Sequence, residues 1–391
     1  MSEKSRRILI FTTAYRPMIG GSEIALEEII RRLSASPAGG PDIFFEIITP
    51  RHKSEFAAFE PGSNFNIHRI GLGVGADKIM FPILGFLKAT KLMKDKKYDA
   101  VHAYQASYGG GAAWMTKLFY PRLPFILTIQ EGKKLDEQPA VLNWFRKLVI
   151  RRADVITVIS NYLKDFVKKI SKSEKVYLIP NGVELKQFPI ANFQLPIIEK
   201  EKTIITVSRL VEKNGIGDLI RAFHILTKNL KPDTHNLKLL IVGDGPQREE
   251  LFNLADELGV KDKVEFAGTI PNQDIYKYLA ASFVFVRPSL SEGLGTAFLE
   301  AMAAGLPVVA TPVGGIPDFL KDPSTHSGQA TGLFCRVNDP EDIAEKINRI
   351  LTDDDLRNRL ILNGRKLVEE KYTWDKIALE FEKLYQQVNV K

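Results

Sequence analysis

Short runs of β-branched and aromatic residues recur along this chain, and most are followed by a stretch with the apolar periodicity of an amphipathic helix. Parallel strands need long crossovers, and a helix that buries one face on the sheet supplies them, so this alternation commits the sequence to helix-covered parallel sheets. In the first half the strand-like runs are Arg7–Thr12, Phe44–Thr49, Ala100–Ala103, Phe125–Thr128, Val155–Val158 and Val176–Ile179. In the second half they are Thr203–Val207, Lys238–Val242, Val264–Ala267, Phe283–Val286, Pro307–Ala310 and Gly332–Phe334. Helical stretches such as Glu23–Ser34, Tyr162–Lys169, Gly217–Thr227, Pro246–Leu258, Asp274–Ala281, Thr296–Ala304 and Pro340–Thr352 separate most of them.

Each half can therefore close its own doubly wound α/β sheet, and 391 residues suit two domains at roughly 100–200 residues each. The expected division is residues 1–190 and 200–370, joined through the Pro-interrupted segment Phe188–Lys202, with a last helix within 374–391. No low-complexity tract or internal repeat interrupts the pattern. In such sheets ligands sit beyond the carboxyl ends of the strands, so two domains facing a cleft suit a nucleotide ligand.

Charge divides along the same line. The net charge of +7 resolves into 29 basic and 18 acidic side chains in residues 1–190, against 25 and 29 in residues 191–391. An excess of +11 confined to one half points to an anionic surface met by that half. Its basic clusters are Lys88, Lys91, Lys94, Lys96 and Lys97; Arg146, Lys147, Arg151 and Arg152; and Lys164, Lys168 and Lys169. Trp144, Phe145 and Leu148 interleave the second cluster, a pattern suited to anionic lipid headgroups. No nucleic-acid recognition motif accompanies them, and no obligate protein partner is inferred. The single Cys335 cannot form an intrachain disulfide, the apolar run after Arg7 is too short for a signal peptide, and Ile79–Leu87 covers about half of a bilayer span. A cytoplasmic protein, peripheral on the inner membrane face, is the expectation.

Three segments carry chemistry. Gly20-Gly21-Ser22-Glu23 follows the first strand and opens a helix, where paired glycines admit a ligand to the backbone; a turn capped by Ser22 is the plainer reading. Ser208 to Gly215 leaves a strand at its carboxyl end with Arg209 and Lys213, two cations that can clamp a diphosphate or form an ordinary solvated loop. Ser289 to Glu300 follows a buried strand and runs into a helix. There Gly293 and Gly295 clear the turn, so the amides of Gly295, Thr296 and Ala297 can cradle a phosphate. Glu292 in the loop and Glu300 inside the helix can meet sugar and ribose hydroxyls, although each alone is also an ordinary dipole complement.

The Glu292-x7-Glu300 pair with its internal Gly-x-Gly resembles the signature of the retaining glycosyltransferases of family 4 (group 1), which have the two-domain GT-B fold. Asn181-Gly182, the Arg209/Lys213 loop, Val242 to Pro246 and Pro307 to Pro317 resemble the family's other landmarks. The resemblance implies that Arg209 and Lys213 bind the donor diphosphate, Glu300 the ribose, and Glu292 the region of the donor sugar. It also implies that Gly20 and Gly21 approach the phosphates, that the base lies on backbone near Gly268, Thr269 and Ile270, and that the last helix crosses back to the first domain.

Two departures stand out. The family commonly spaces its Arg and Lys five apart; here the interval is four, and Asn214 holds the expected slot. Where members often carry a His near the reacting centre, this chain has Gln130-Glu131, and Gln130 cannot shuttle a proton. Glu131 and His102 are the remaining acceptor-side candidates, His102 equally readable as a packed core histidine. Asp353-Asp354-Asp355 contains a D-x-D but reads as an acidic first turn, and no His/Cys cluster has ligand spacing. Asn363 to Lys366 reads as helix surface, and Gly109-Gly110-Gly111 as a helix-entry turn. The expected activity is metal-independent, retaining transfer from a nucleotide-diphosphate sugar, as substrate and with no cofactor, to a lipid-linked or polysaccharide acceptor. A GT-B nucleotide-sugar epimerase is the alternative, and the missing G-x-G-x-x-G disfavours a dinucleotide-dependent dehydrogenase.

Overall fold

The computed structural model describes residues 6–18, 20–34, 43–131, 139–188, 202–229, 237–324 and 329–388. The chain divides into two units, residues 1–181 with 374–391, and residues 182–373. Of the join expected at Phe188–Lys202, residues 189–201 lie outside the described residues.

In the first unit the order is β1 (Arg6–Phe11), α1 (Gly21–Ser34), β2 (Ile43–Pro50), β3 (Phe59–Pro61), β4 (Phe65–Ile70), α2 (Asp77–Asp95), β5 (Ala100–Tyr104), α3 (Tyr108–Phe119), β6 (Phe125–Ile129), α4 (Ala140–Arg152), β7 (Val155–Val158), α5 (Asn161–Lys168) and β8 (Val176–Leu178). The strands form one sheet in the order β3-β4-β2-β1-β5-β6-β7-β8, parallel except for the β3–β4 pair. Its central strands are buried on both faces, which is why they read as continuous apolar runs. Crossovers through α2, α3, α4 and α5 all step the same way along the sheet, whereas that through α1 steps back. Right-handed connection therefore puts α2 to α5 on one face and α1 on the other.

The second unit runs β9 (Lys202–Val207), α6 (Ile216–Asn229), β10 (Leu237–Val242), α7 (Arg248–Glu257), β11 (Val264–Gly268), α8 (Ile275–Ala280), β12 (Val284–Arg287), α9 (Thr296–Ala303), β13 (Val308–Ala310), α10 (Ile316–Phe319), β14 (Leu333–Phe334), α11 (Pro340–Thr352) and α12 (Asp354–Lys371). Its parallel sheet has the order β11-β10-β9-β12-β13-β14. The strand order reverses between β9 and β12, the switch point where open α/β sheets bind ligands. The last helix, α13 (Trp374–Gln387), returns to the first unit and packs beside α1. Trp374, Ile377, Phe381 and Leu384 of α13 join Ile8, Ile10, Phe45 and Ile47 in one core. Arg6 fastens its end by donating to the carbonyls of Tyr385 (2.6 Å), Gln386 and Val388 (both 3.1 Å).

Strands β3 and β4 had no counterpart in the sequence reading. The reason is visible in β4, where His68 and Arg69 are buried and replace the apolar alternation with hydrogen bonds. Asp353 caps α12 through the Leu356 amide (2.8 Å), with Asp354 and Asp355 in the first turn, as the acidic-turn reading expected. Asn363 to Lys366 is not a plain surface segment. Gly364 and Arg365 are buried, and Arg365 donates to the carbonyls of Ala303 and of Phe188 (3.0 Å) and pairs with Glu369 (2.6 Å). The three glycines 109–111 form the buried first turns of α3. No helix among the described residues is long and apolar enough to cross a membrane.

Candidate active site

In the second unit, three loops leave neighbouring strands at their carboxyl ends, and backbone contacts tie them together. The loop after β9 carries Arg209, exposed and with no carboxylate partner among the described residues, and Lys213 in a 3-10 turn at Glu212–Asn214. Asn214, in the slot where the family commonly has its cation, is buried and donates from Nδ2 to the Arg209 carbonyl (2.6 Å). It stiffens the loop that presents the two cations. Lys213 accepts at its carbonyl from the Leu290 amide (2.7 Å), and Gly215, at φ +67°, passes so close to the Pro288 carbonyl that a side chain there would collide with it. The 208–215 and 288–295 loops are thus joined side by side. On the other flank, Leu210 donates to Asp244 (3.0 Å) and Gly243 to Gly268 (2.8 Å), which brings Gly268 and the exposed Thr269 to the same edge. Asp244, Gly245, Pro246, Arg248, Glu249 and Phe252 line an open depression of about 510 Å³ beside it.

Glu292, Gly295, Thr296, Ala297 and Glu300 lie on the loop after β12 and the start of α9. Gly295 takes φ +88°, and a side chain there would strike the Phe298 ring and approach the Arg287 guanidinium. The amides of Gly295, Thr296 and Ala297 donate to no acceptor among the described residues. They form the positive end of a helix, open to an anion.

The residue that sequence reading missed is Arg287, at the end of β12. It is buried, stacks on Phe298 (4.2 Å to the ring centroid), and donates to the Val207 carbonyl (3.1 Å), Ser289 Oγ (3.2 Å) and Glu292 Oε2 (2.7 Å). The other oxygen of Glu292 accepts from the Gly293 amide (3.0 Å), so its carboxylate is fixed in one orientation. Burial pushes the Glu300 carboxyl up to about 7, opposed by the Arg287 charge. Burial lowers the Arg287 pKa, and Glu292 and Glu300 counter this. The only available signal was a cation closing an apolar strand, Val284-Phe-Val-Arg287, where a paired buried charge is the economical explanation.

In the first unit the carboxyl edge gathers Gly20 and Gly21 after β1, Gln105 after β5, Gln130 and Glu131 after β6, and Asn181 after β8. Helix α1 begins at Gly21, so Ser22 lies inside it and is not the cap; its hydroxyl donates to Glu23 (3.0 Å) and accepts from Gln105 (3.2 Å). Glu131 accepts from the amides of Ala106 (3.0 Å) and Gln130 (3.1 Å), and burial raises its pKa. Gln130 accepts from Asn181 (3.4 Å). His102 does not reach this edge. It is fully buried within β5, between Tyr385 (Nδ1, 2.7 Å) and Thr128 (Nε2, 2.7 Å), and burial lowers its pKa to about 3. Of its two readings, the packed neutral histidine is the one the structure supports. Arg146 is likewise buried, bonded to Asn143 (2.6 Å), and leaves the basic surface cluster.

Among the described residues no group of three or more His, Cys, Asp or Glu is arranged to hold a metal ion. The family model for Glycosyltransferase Family 4 matches residues 19–187, and that for Glycosyl transferases group 1 matches residues 187–367. The chain is 32% identical to an uncharacterized glycosyltransferase of Methanocaldococcus jannaschii, over 74% of this chain and 75% of that one. It is also 32% identical to a GDP-mannose-dependent monoacylated alpha-(1-6)-phosphatidylinositol monomannoside mannosyltransferase of Corynebacterium glutamicum, over 95% of each chain. The solved sucrose-phosphate synthase of Thermosynechococcus elongatus superposes with a TM-score of 0.81 at 24% identity, over 98% of both chains, and shares the fold. Two parallel α/β units and matches across nearly the whole length agree: the chain belongs to the group 1 glycosyltransferases of GT-B fold.

Proposed function

We propose that this glycosyltransferase moves a sugar from a nucleoside-diphosphate sugar to a lipid-linked or polysaccharide acceptor in cell-envelope glycan synthesis, with retained anomeric configuration and without a metal ion. The observation that carries the reading is the joining of the Arg209/Lys213 loop to the Glu292–Glu300 segment at one strand edge of the second unit. In this reading Arg209, Lys213 and the amides of Gly295 to Ala297 neutralise the departing diphosphate, the task a metal performs elsewhere. Glu300 accepts hydrogen bonds from the ribose, Glu292 faces the donor sugar, and the backbone at Gly268 and Thr269 lies against the base. The acceptor hydroxyl attacks the anomeric carbon from the face that the diphosphate leaves, and a departing phosphate oxygen takes its proton. No nucleophile is needed on the acceptor unit, where Gln130 and Glu131 orient the acceptor.

Similarity to an enzyme named for GDP-mannose and a phosphatidylinositol mannoside supports a nucleotide-sugar donor and a lipid-borne acceptor. The basic first unit suits an anionic membrane surface, with the protein peripheral on its cytoplasmic side. Once a donor has been found by thermal-shift screening of UDP, GDP, ADP and their sugars, NMR of the product reads the anomeric configuration. Retention is expected. Inversion, or release of an isomerised free sugar without acceptor, overturns the reading.

A further inference from the structure

The helices α2 to α5 cover one face of the first unit's sheet, and part of their outer side is apolar where solvent-facing helices are ordinarily charged. On α2, Phe81, Gly85 and Ala89 are buried. Ile79, Ile83 and Leu87 sit two residues off that stripe, hence on the opposite side of the helix, and all three are exposed, Ile79 by 66%. Phe119 at the end of α3 is 68% exposed, with its ring 4.9 Å from that of Phe86 on α2. On α4, Trp144 is 63% exposed and Val141 more so. The three helices meet over Gly111, whose missing side chain makes room for the Phe145 ring and for Pro82. Ile83 follows Pro82 directly, Ile79 lies about one helical turn before it, and Trp144 adjoins Phe145. The exposed apolar residues therefore belong to one region and are not scattered singly.

Helices α2, α4 and α5 carry exposed Lys91, Lys94, Lys147, Arg151, Arg152 and Lys168, against exposed Asp95 and Asp165. Exposed cations outnumber exposed carboxylates here; burial lowers the Lys88 pKa and Lys91 lowers it further, with Glu46 opposing. A second copy of the chain on this face would oppose cation to cation; a surface of lipid phosphates relieves the crowding and covers the apolar side chains together.

We propose that the outer face of α2, α3 and α4 docks on an anionic lipid bilayer, with Ile79, Ile83, Leu87, Phe119, Val141 and Trp144 inserted at the headgroup–acyl boundary and the basic side chains among the phosphates. This deepens the membrane part of the proposed function and rests on it. It differs from purely electrostatic adsorption, because part of the binding survives salt.

The test uses the full chain with vesicles of phosphatidylcholine alone and of phosphatidylcholine mixed with phosphatidylglycerol, with and without brominated acyl chains. The expected result is flotation with the anionic vesicles, weakened but not abolished by high salt, and quenching of Trp144 emission by brominated chains that Trp144→Phe removes. The variant Ile83→Ser/Trp144→Ser lowers partitioning by about a hundredfold. Because both positions are exposed, it keeps its far-UV spectrum and its thermal shift with nucleoside diphosphates. Three outcomes overturn the proposal: anionic-vesicle binding abolished by salt and unquenched by brominated chains, unchanged partitioning of the double variant, or self-association that shields Trp144 in place of vesicle binding. The nucleotide thermal shift reports on the donor site separately, so failed docking and a failed functional reading are told apart.

Discussion

Arg287 joins the parts of the second unit's candidate site. Its guanidinium holds Glu292, braces the β9 end at Val207 and lies next to the position that forces Gly295 to be glycine. It acts through Glu292 and Glu300 and is a positioning residue. Arg287→Met leaves Glu292 without its cation in a buried place, so turnover should fall by roughly a hundredfold or more, with Arg287→Lys recovering part of it. Steady-state kinetics on the two variants check this. Glu300 supplies a pH signature. Its carboxyl is held up to about 7 by burial, so the free enzyme carries it protonated below that pH. If the ionised form accepts the ribose hydroxyls, donor affinity strengthens as pH rises through about 7. Removing the opposing Arg287 charge moves that rise to higher pH. Calorimetric titration of nucleoside diphosphate across pH reads both; a flat profile contradicts the role of Glu300.

At the scale of elements, β2, β4 and the segment before β5 are held by a buried carboxylate. Glu46 is inaccessible and accepts from His68 (2.7 Å), Asn66 (3.0 Å), Tyr98 (3.3 Å) and Lys96 (3.4 Å). Burial alone would raise its pKa, but hydrogen bonds from His68 and Asn66 and the Lys96 charge win and bring it to about 2. Its folded pKa lies below the ordinary glutamate value of 4.5, so the stabilisation is fully present above about 4.5 and is lost as pH falls toward 2. Glu46→Gln should cost roughly 2–4 kcal/mol near neutrality and flatten the acid limb of the urea-denaturation midpoint.

This network also explains what the sequence hid. Strands such as β7 and β12, fully buried and apolar but for Thr157 and Arg287, are legible to within a residue, as are the helices that follow strict periodicity. Strand β4 keeps its pattern only if a buried His68 and Arg69 are counted as core, which depends on partners on β2 and elsewhere. The carboxylate and glycine positions proposed for the site could be named from sequence because loop chemistry is local. Arg287, Arg146 and Arg365 were not, because the burial of a cation is decided by distant partners.

For the whole molecule, the chain leaves the first unit after Asn181 and returns at Trp374, so the first sheet is completed by its last helix. Tyr385 on α13 holds His102, and Phe381 stacks at 6.0 Å from the same ring. Deleting residues 374–391 exposes that core. Hydrogen exchange should then show loss of protection in β1, β2 and β5 while β9, β10 and β12 keep theirs. The net +7 likewise belongs to one unit: the first carries the excess of cations, while the second is acidic overall yet keeps Arg209 and Lys213 at its strand edge.

We read this edge of the second unit as the donor site. Isothermal titration of UDP, GDP and ADP into the wild-type chain and into Arg209→Ala and Glu300→Gln is the decisive measurement. One nucleoside diphosphate should bind the wild type, and each variant should bind it at least about tenfold more weakly with unchanged thermal unfolding. Equal affinity in all three proteins, or no binding by the folded wild type, would place the donor site elsewhere.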